Sequence, residues 1–227
     1  MFQTSKRKKS ADALVDKSKV YPLAEAIELV KKTSTTTFDS GIELHIRLGI
    51  DPKKADQTVR GTIALPHGTG KQKKIVVFAE GKEAEAAEKA GAVRVGGQEL
   101  IKEIAQTKKF PGDVAVATPD MMRHVSGIAK ILGPKGLMPN PKNETVTKDV
   151  AKAVKELSAG KIPFRNDATA NVHMLVGRAS FDAAKLQENI TAALDAVKRA
   201  KPSSSKGTYL ISTYVTSSMG PSVKFTL

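Results

Sequence analysis

Two adjoining stretches decide the fold: Leu65-Pro66-His67-Gly68-Thr69-Gly70-Lys71 and, shortly after it, Ile75-Val76-Val77-Phe78-Ala79. The proline and the glycines of the first stretch interrupt regular structure. The second stretch is a continuous apolar run, which is typical of a strand covered on both faces. The pair therefore predicts that a second, different sheet begins near residue 67.

Upstream of this point the apolar residues alternate with polar ones. Between Gly41 and Gly49, one side carries Ile42, Leu44, Ile46 and Leu48, and the other carries Glu43, His45 and Arg47. Alternation with a period of two predicts a half-buried strand that keeps one polar face. We expect a second strand over residues 59–65, and a helix opened by Pro22. The first eleven residues are polar and basic and predict a flexible arm.

Downstream of residue 75, strands alternate with helices. We predict strands over 92–95 and 114–117, and helices over 82–90, over 98–107, from Pro119 onward and over 147–158. Strands that alternate with helices favour a parallel sheet with crossover helices.

A second group of breakers, Ala159-Gly160 with Pro163, ends this region. Half-buried strands are expected over 162–165 and 171–176, on either side of a hairpin turn at Asn166-Asp167-Ala168-Thr169. Ser180 or Asp182 is expected to cap a long helix. Final strands are predicted over 208–215 and 223–227.

The pattern as a whole predicts an α/β protein of two domains. Residues 1–66 plus 160–227 form a discontinuous α/β sandwich with a split β-α-β-like sheet, and residues 67–159 form an inserted parallel-sheet, Rossmann-like domain. The chain crosses between them twice at glycine-containing segments. We therefore expect Gly68, Gly70 and Gly160 to form a hinge.

Composition favours an anionic polymer as the partner. The formal net charge is +14 and the isoelectric point is near 9.8, and clustered lysine and arginine displace counterions from phosphates. The inserted part has 16 basic and 11 acidic residues, a net charge of +5, and the rest has 21 and 12, a net charge of +9. Both parts are basic, so charge does not confine RNA to one domain, and the difference favours the discontinuous domain only mildly. Aromatic residues make up only 4% of the chain, so recognition by shape and backbone suits it better than extensive base stacking.

Several other function classes are disfavoured. The chain has no cysteine, no apolar run long enough to cross a membrane and no secretory signal. Gly68-Thr69-Gly70-Lys71 resembles the end of a phosphate loop, but Leu65 and Gln72 break the motif. The four histidines are scattered, which disfavours a metal site. Spacing alone leaves a Ser-His-Asp site open, but no nucleophile-elbow sequence is present. We therefore expect no metal, no cofactor and no catalytic residue. Two alternatives stay open: an α/β enzyme that uses a cleft between the domains, and a non-specific nucleic-acid binder.

Two loops have unusual compositions. Residues 132–142 combine glycines and prolines with two displayed lysines, and residues 217–222 combine serines, a methionine, a glycine and a proline. Either could be a plain connector. Serine hydroxyls and a glycine also permit close approach to a ribose or a phosphate without a charge.

Together these segments resemble the bacterial ribosomal protein L1 family, from about Tyr21 to the C-terminus. The elements that carry the resemblance stand in the family's order: Phe38-Asp39, Leu48-Gly49-Ile50-Asp51-Pro52, Val59-Arg60-Gly61-Thr62, Leu65-Pro66-His67-Gly68-Thr69-Gly70, the loop over 133–141, Phe164-Arg165-Asn166-Asp167, and Ser218-Met219-Gly220-Pro221.

The resemblance implies a non-enzymatic constituent of the large ribosomal subunit in the cytoplasm, monomeric when free. It implies binding to the rRNA of the mobile stalk near the tRNA exit site, help in releasing deacylated tRNA through transient contact, and repression of its own operon through a similar mRNA structure. The positions that match the family's RNA site are Phe38, Glu43, Asp167, Thr169, Ser212, Ser218, Met219 and Gly220.

Three positions depart from the family's usual pattern. Ala168 stands where a lysine is usual and Ala170 where a glycine is usual, which argues against a basic contact from this turn. Ser218 replaces a usual threonine but keeps the hydroxyl.

Overall fold

The structure, a computed structural model, describes residues 5–226, apart from the side chains of Ala55 and Lys142. The chain forms two compact units. One unit runs up to Gly70 and resumes at Pro163, and the other consists of Lys71–Ile162. The predicted α/β class is confirmed, since helices and several sheets occur throughout.

Strands and helices follow one another along the described residues. The strands are β1 (Tyr21–Pro22), β2 (Gly41–Leu48), β3 (Arg60–Ala64), β4 (Ile75–Phe78), β5 (Arg94–Gly96), β6 (Val114–Ala117), β7 (Lys161–Arg165), β8 (Asn171–Arg178), β9 (Leu210–Ser217) and β10 (Ser222–Thr226). The helices are α1 (Lys6–Ala13), α2 (Leu23–Thr33), α3 (Lys82–Lys89), α4 (Gln98–Thr107), α5 (Met122–Val125), α6 (Ala129–Leu132), α7 (Val150–Ser158) and α8 (Ala183–Arg199). Short 3-10 turns lie at Ala55–Gln57, Ser126–Ile128 and Pro141–Asn143.

A five-stranded sheet forms the centre of the discontinuous unit, in the order β1-β10-β9-β2-β8. Its pairs are antiparallel, except that β1 runs parallel to β10. The amphipathic helices α2 and α8 pack together against β8, β9 and β10 of this sheet. Leu44 and Ile46 of β2 are fully buried. The expected alternation in β2 is confirmed, because its polar residues on the other side are half-buried or exposed.

The strands β7 and β8 do not form the simple hairpin expected from the Asn166-Asp167-Ala168-Thr169 turn. Strand β7 pairs instead with β3 in a separate two-stranded sheet, and β8 pairs with β2. Asn166 directs this divergence: its backbone N–H donates to the carbonyl of Val59 at 3.0 Å, and its side-chain oxygen accepts from the Val59 N–H at 2.8 Å. Among the described strand pairings, a single antiparallel bridge between Asn166 and Val172 is what remains of the expected hairpin.

A parallel three-stranded sheet, in the order β5-β4-β6, forms the centre of the inserted unit. Every residue of β4 is buried. Val76 and Phe78 join one apolar cluster with α4 and the helical segment after Pro119, while Ile75 and Val77 join another with α3 and α7. The expectation of a strand covered on both faces is therefore confirmed.

Two local expectations are wrong. Residues 6–13 form the helix α1 rather than a flexible arm; Ser5 caps it by accepting the Lys8 N–H, and the lysines, arginine and alanines that follow are good helix formers. Residues 1–4 of the expected arm lie outside the described residues. The helix expected after Pro119 is broken into α5, a 3-10 turn and α6, where Gly127 weakens the helix.

Other boundaries shift by a few residues. The last helix of the inserted unit begins at Val150, because Asp149 caps it through the Lys152 N–H. The two final strands are observed at Leu210–Ser217 and Ser222–Thr226, and Leu227 lies outside the described residues.

Candidate nucleic-acid interface

The side of the five-stranded sheet that faces away from α2 and α8 carries the candidate site. We call it the open face and define it by the residues whose register places them on that side: Glu43, His45, Arg47, Asn171, His173, Leu175, Ser212, Tyr214, Thr216, Ser222 and Lys224. All but one of these side chains are polar. His45, Arg47, His173, Ser212 and Tyr214 line a shallow depression in its middle.

The turn between β9 and β10 lies at one end of the open face. The backbone N–H of Ser218 donates to the carbonyl of Gly41 at 2.9 Å, and its hydroxyl donates to Glu43 at 3.3 Å. Met219 adopts a positive φ of 67° and is 70% exposed. A Cβ at Gly220 would lie 2.2 Å from the Ser217 hydroxyl oxygen, so any larger residue would require this buried hydroxyl to move. The turn therefore presents a hydroxyl, a thioether and bare backbone in a fixed arrangement.

Phe38 is placed at this same end, in the loop before β2, and its side chain is 55% exposed. The next residue, Asp39, is held by Ser180, whose N–H and hydroxyl donate to its carboxylate at 3.1 and 2.8 Å. The Arg178 guanidinium donates to the Asp39 carbonyl at 3.0 Å. An exposed aromatic ring thus stands on an anchored loop.

The turn between β7 and β8 lies at the other end. One oxygen of Asp167 accepts the backbone N–H groups of Thr169 and Asn171 at 2.8 and 2.7 Å, and the other accepts the Thr169 hydroxyl at 2.7 Å. These donors, led by the Asn171 N–H, hold the pKa of Asp167 well below its usual range. Ala170 has a positive φ of 64°, which explains why glycine suits this position.

The structure thus brings the expected site residues into two groups rather than one. Glu43 and Ser218 are in contact at one end, near Phe38, while Asp167 and Thr169 are in contact at the other. Ser212 lies towards the second end, opposite Arg47. The ends of β2 are roughly 23 Å apart at the usual rise per residue of a strand. The candidate site is therefore a strip along the strands.

A long strip of hydroxyl, amide and cationic groups on a sheet suits contact with a nucleic-acid backbone. The comparisons with known proteins point the same way. The profile of the Ribosomal protein L1p/L10e family matches residues 30–221. The chain belongs to this family. The large ribosomal subunit protein uL1 of Mesoplasma florum is 54% identical over 224 residues, which cover 99% of this chain and 98% of that protein.

The ribosomal protein L1 family consists of structural proteins and not of enzymes. The alternative of an enzyme in a cleft is thereby set aside. Gly68-Thr69-Gly70-Lys71 also lies between β3 and β4 and leads into a strand, whereas a phosphate loop opens a helix.

The glycines expected to form a hinge all have a positive φ: 63° at Gly68, 70° at Gly70 and 108° at Gly160. The carbonyl of Gly68 accepts a hydrogen bond from the buried side chain of Asn189 at 3.0 Å. The same side chain accepts the His67 N–H at 3.1 Å. Gly68 is therefore fixed to α8 within its own unit.

Sequence reasoning missed the middle of the strip. His45 and His173 are direct cross-strand partners, with their Nδ1 atoms 2.7 Å apart and ring centroids 4.9 Å apart. The alternation in β2 places His45 and Arg47 on the polar face, and this signal could have found them. His173 comes from a strand 128 residues away, so no local spacing links it to His45.

Neither a metal centre nor a membrane span is found in the part of the chain that the structure describes. Within 5–226 there is no group of three or more histidine, cysteine, aspartate or glutamate residues that could hold a metal ion. Over the same range, none of the helices is both long enough and apolar enough to span a membrane.

Proposed function

We propose that this protein is a cytoplasmic, structural constituent of the large ribosomal subunit and that its open face binds the rRNA of the mobile stalk near the tRNA exit site. Family membership supports the ribosomal role. The rRNA target is the one that the resemblance implies.

The observation that carries the proposal is the contrast between the two sides of the five-stranded sheet. One side is buried under α2 and α8, while the other keeps polar side chains from four strands in reach of a partner. Arg47 is exposed there, and the half-buried Lys224 lies in β10, which pairs with β1 and β9. In such an interface the cations bind phosphates irrespective of the RNA sequence, and the neutral groups between the cations contact ribose and backbone.

The two ends of the strip supply the close contacts in this proposal. Ser218 and Gly220 approach ribose and phosphate, with Met219 and Phe38 covering apolar parts of the nucleotides. At the far end Thr169 and Ser212 offer hydroxyls, and Asp167 holds its turn in shape. Glu43 orients the Ser218 hydroxyl through their 3.3 Å contact.

The finer assignments belong to the same proposal. The protein assists release of deacylated tRNA through transient contact, represses its own operon by binding a similar mRNA structure, and is monomeric when free, with no membrane partner. Residues 1–66 plus 160–227 act as the RNA-binding domain with a split β-α-β-like sheet. Residues 67–159 act as a Rossmann-like insert, with Gly68, Gly70 and Gly160 as the hinge, in which Gly68 is the point anchored on α8.

A binding experiment tests the proposal. We expect Arg47→Gln to weaken binding of the full chain to deproteinised large-subunit rRNA by about three- to tenfold, as for loss of one phosphate contact. Lys102→Gln is the matched control, because Lys102 is an exposed cation of α4 in the inserted unit. Equal affinities for wild type, Arg47→Gln and Lys102→Gln would contradict a site on the open face.

A further inference from the structure

The histidine pair in the middle of the open face has an unusual capacity for protons. At a separation of 2.7 Å between the two Nδ1 atoms, one must carry a hydrogen and the other must offer its lone pair. The neutral pair satisfies this, and so does a pair with one added proton. Two added protons would set two N–H groups against each other and force the rings apart. The pair therefore takes up one proton as a unit in this arrangement.

Each outer ring nitrogen faces a carboxylate. His45 Nε2 lies 3.7 Å from Glu43, and His173 Nε2 lies 3.5 Å from Asp167. Glu43 in turn contacts Ser218, and Asp167 contacts Thr169. The pair thus joins the two ends of the strip into one polar chain.

The remaining ionisable groups near the pair come from three strands. Arg47 lies two positions along β2 from His45, Tyr214 is its partner on β9, and Lys224 lies beyond Tyr214 on β10. Burial and the neighbouring His173 lower the pKa of His45, while Glu43 opposes this. The two cations also disfavour an added proton in the free protein. A phosphate bound on this face would instead favour the added proton, because its negative charge attracts the protonated pair.

We propose that the His45–His173 pair is a further RNA contact of the open face and that it takes up one proton when RNA binds. This rests on the proposed function, since it needs RNA on the open face. His173 is available for such contact, because its side chain is 53% exposed, whereas that of His45 is 27% exposed. In this arrangement the more exposed His173 contacts the phosphate, and the less exposed His45 shares the added proton through the contact between the two Nδ1 atoms.

The sign of the pH effect follows from linkage. The bound state holds the proton more tightly than the free state, so affinity rises as the pH falls through the pKa of the pair. If binding strengthens the hold on this proton by a factor of about ten, affinity increases by up to the same factor. We expect binding of the full chain to deproteinised large-subunit rRNA to be about five- to tenfold tighter at pH 5.5 than at pH 8.

Substitution of the pair tests its part in this effect. We expect the double variant His45→Gln/His173→Gln to bind with an affinity that changes less than about twofold over the same pH range. The single variants provide a second reading if the double variant does not fold, and each should lose most of the pH dependence. His67→Gln and His124→Gln are matched controls, because these histidines lie off the open face, and both should keep the full effect.

The outcomes separate this inference from the proposed function. Wild-type affinity that does not change with pH, or pH dependence that survives in the double variant, would overturn the role of the pair. If Arg47→Gln still weakens binding at pH 8 in that case, the open face remains the RNA site. If Arg47→Gln has no effect at either pH, the proposed function fails together with the inference.

Discussion

The two main sheets of the molecule are built on opposite sequence patterns. Strand β4 of the inserted unit is apolar at every position and is packed on both faces by helices. Strand β2 of the discontinuous unit alternates, so that one face is buried and the other keeps Glu43, His45 and Arg47 in reach of solvent. The difference teaches where a partner can bind: a sheet covered on both sides offers only its edges and loops, whereas a sheet covered on one side offers a whole face.

The largest expected effect concerns stability. We expect Phe78→Ala to lower the free energy of unfolding by about 3–5 kcal/mol and Ile75→Ala by about 2–5 kcal/mol, because the two side chains fill cores on opposite faces of β4. In β2 the two faces should respond differently. We expect Ile46→Ala to lower the free energy of unfolding by about 2–5 kcal/mol and Arg47→Ala to lower it by no more than about 0.5 kcal/mol. Chemical denaturation followed by circular dichroism measures all four. If either β4 variant lowered the free energy of unfolding only slightly, the result would contradict the view that β4 is packed on both faces.

The next effect concerns RNA affinity at the end of the open face. We expect Ser218→Ala to weaken binding to deproteinised large-subunit rRNA by about ten- to a hundredfold, or about 1–3 kcal/mol, because a partner of the hydroxyl is left unmet. Ser218→Val should cost at least as much, since it adds bulk at a close contact. Ser218→Thr, which keeps the hydroxyl, is the matched control and should bind nearly as well as wild type.

Substitutions in α1 test how charge, as opposed to close contact, contributes to RNA affinity. Replacing Lys6, Arg7, Lys8 and Lys9 by glutamine, which is also a good helix former, should weaken binding to rRNA and to scrambled RNA alike and flatten the salt dependence. Titrations at two salt concentrations measure both. In this account the cations of α1 supply long-range attraction and Ser218 supplies close contact. That assignment is wrong if the α1 variant abolishes the preference for rRNA while Ser218→Ala leaves it unchanged.

The smallest effect concerns the turn at the other end of the strip. We expect Ala170→Gly to raise the free energy of unfolding by about 0.5–1 kcal/mol, because alanine is strained at a positive φ of 64° and glycine is not. Thermal unfolding measures the change. Ala168→Gly, in the same turn but without a positive φ, is the control and should not stabilise the protein.

The elements that could best be predicted from the sequence are those whose pattern is complete within a short window. The bounds of α4 and β6 agree with the structure to the residue, since their apolar spacing and flanking breakers are local. The break in the helix after Pro119 is harder to foresee, because a single Gly127 competes with apolar residues at helical spacing. The helix α1 escapes prediction because its residues are mostly charged, and a basic terminal run has the same composition whether it is helical or disordered.

The candidate site was predictable only in part, for a physical reason. Glu43, His45 and Arg47 follow from alternation within one strand. Their partners do not, because Ser218 reaches Glu43 across 175 residues and His173 reaches His45 across 128. The pairing of β7 with β3 rather than β8 depends on Asn166, whose two contacts with Val59 span 107 residues. Such contacts are set by the order of strands, which the local pattern does not encode.

The most direct test of the central claim maps where RNA lies on the protein. The chain has no cysteine, so a single introduced cysteine can carry an iron chelate that cleaves nearby RNA. Ser222→Cys places the chelate on the open face itself, at the exposed start of β10, and Lys102→Cys places it on α4 of the inserted unit. We predict that the chelate at position 222 cleaves deproteinised large-subunit rRNA at one localised site, and that the chelate at position 102 does not cleave there. Localised cleavage from position 102 with none from position 222 would contradict the account.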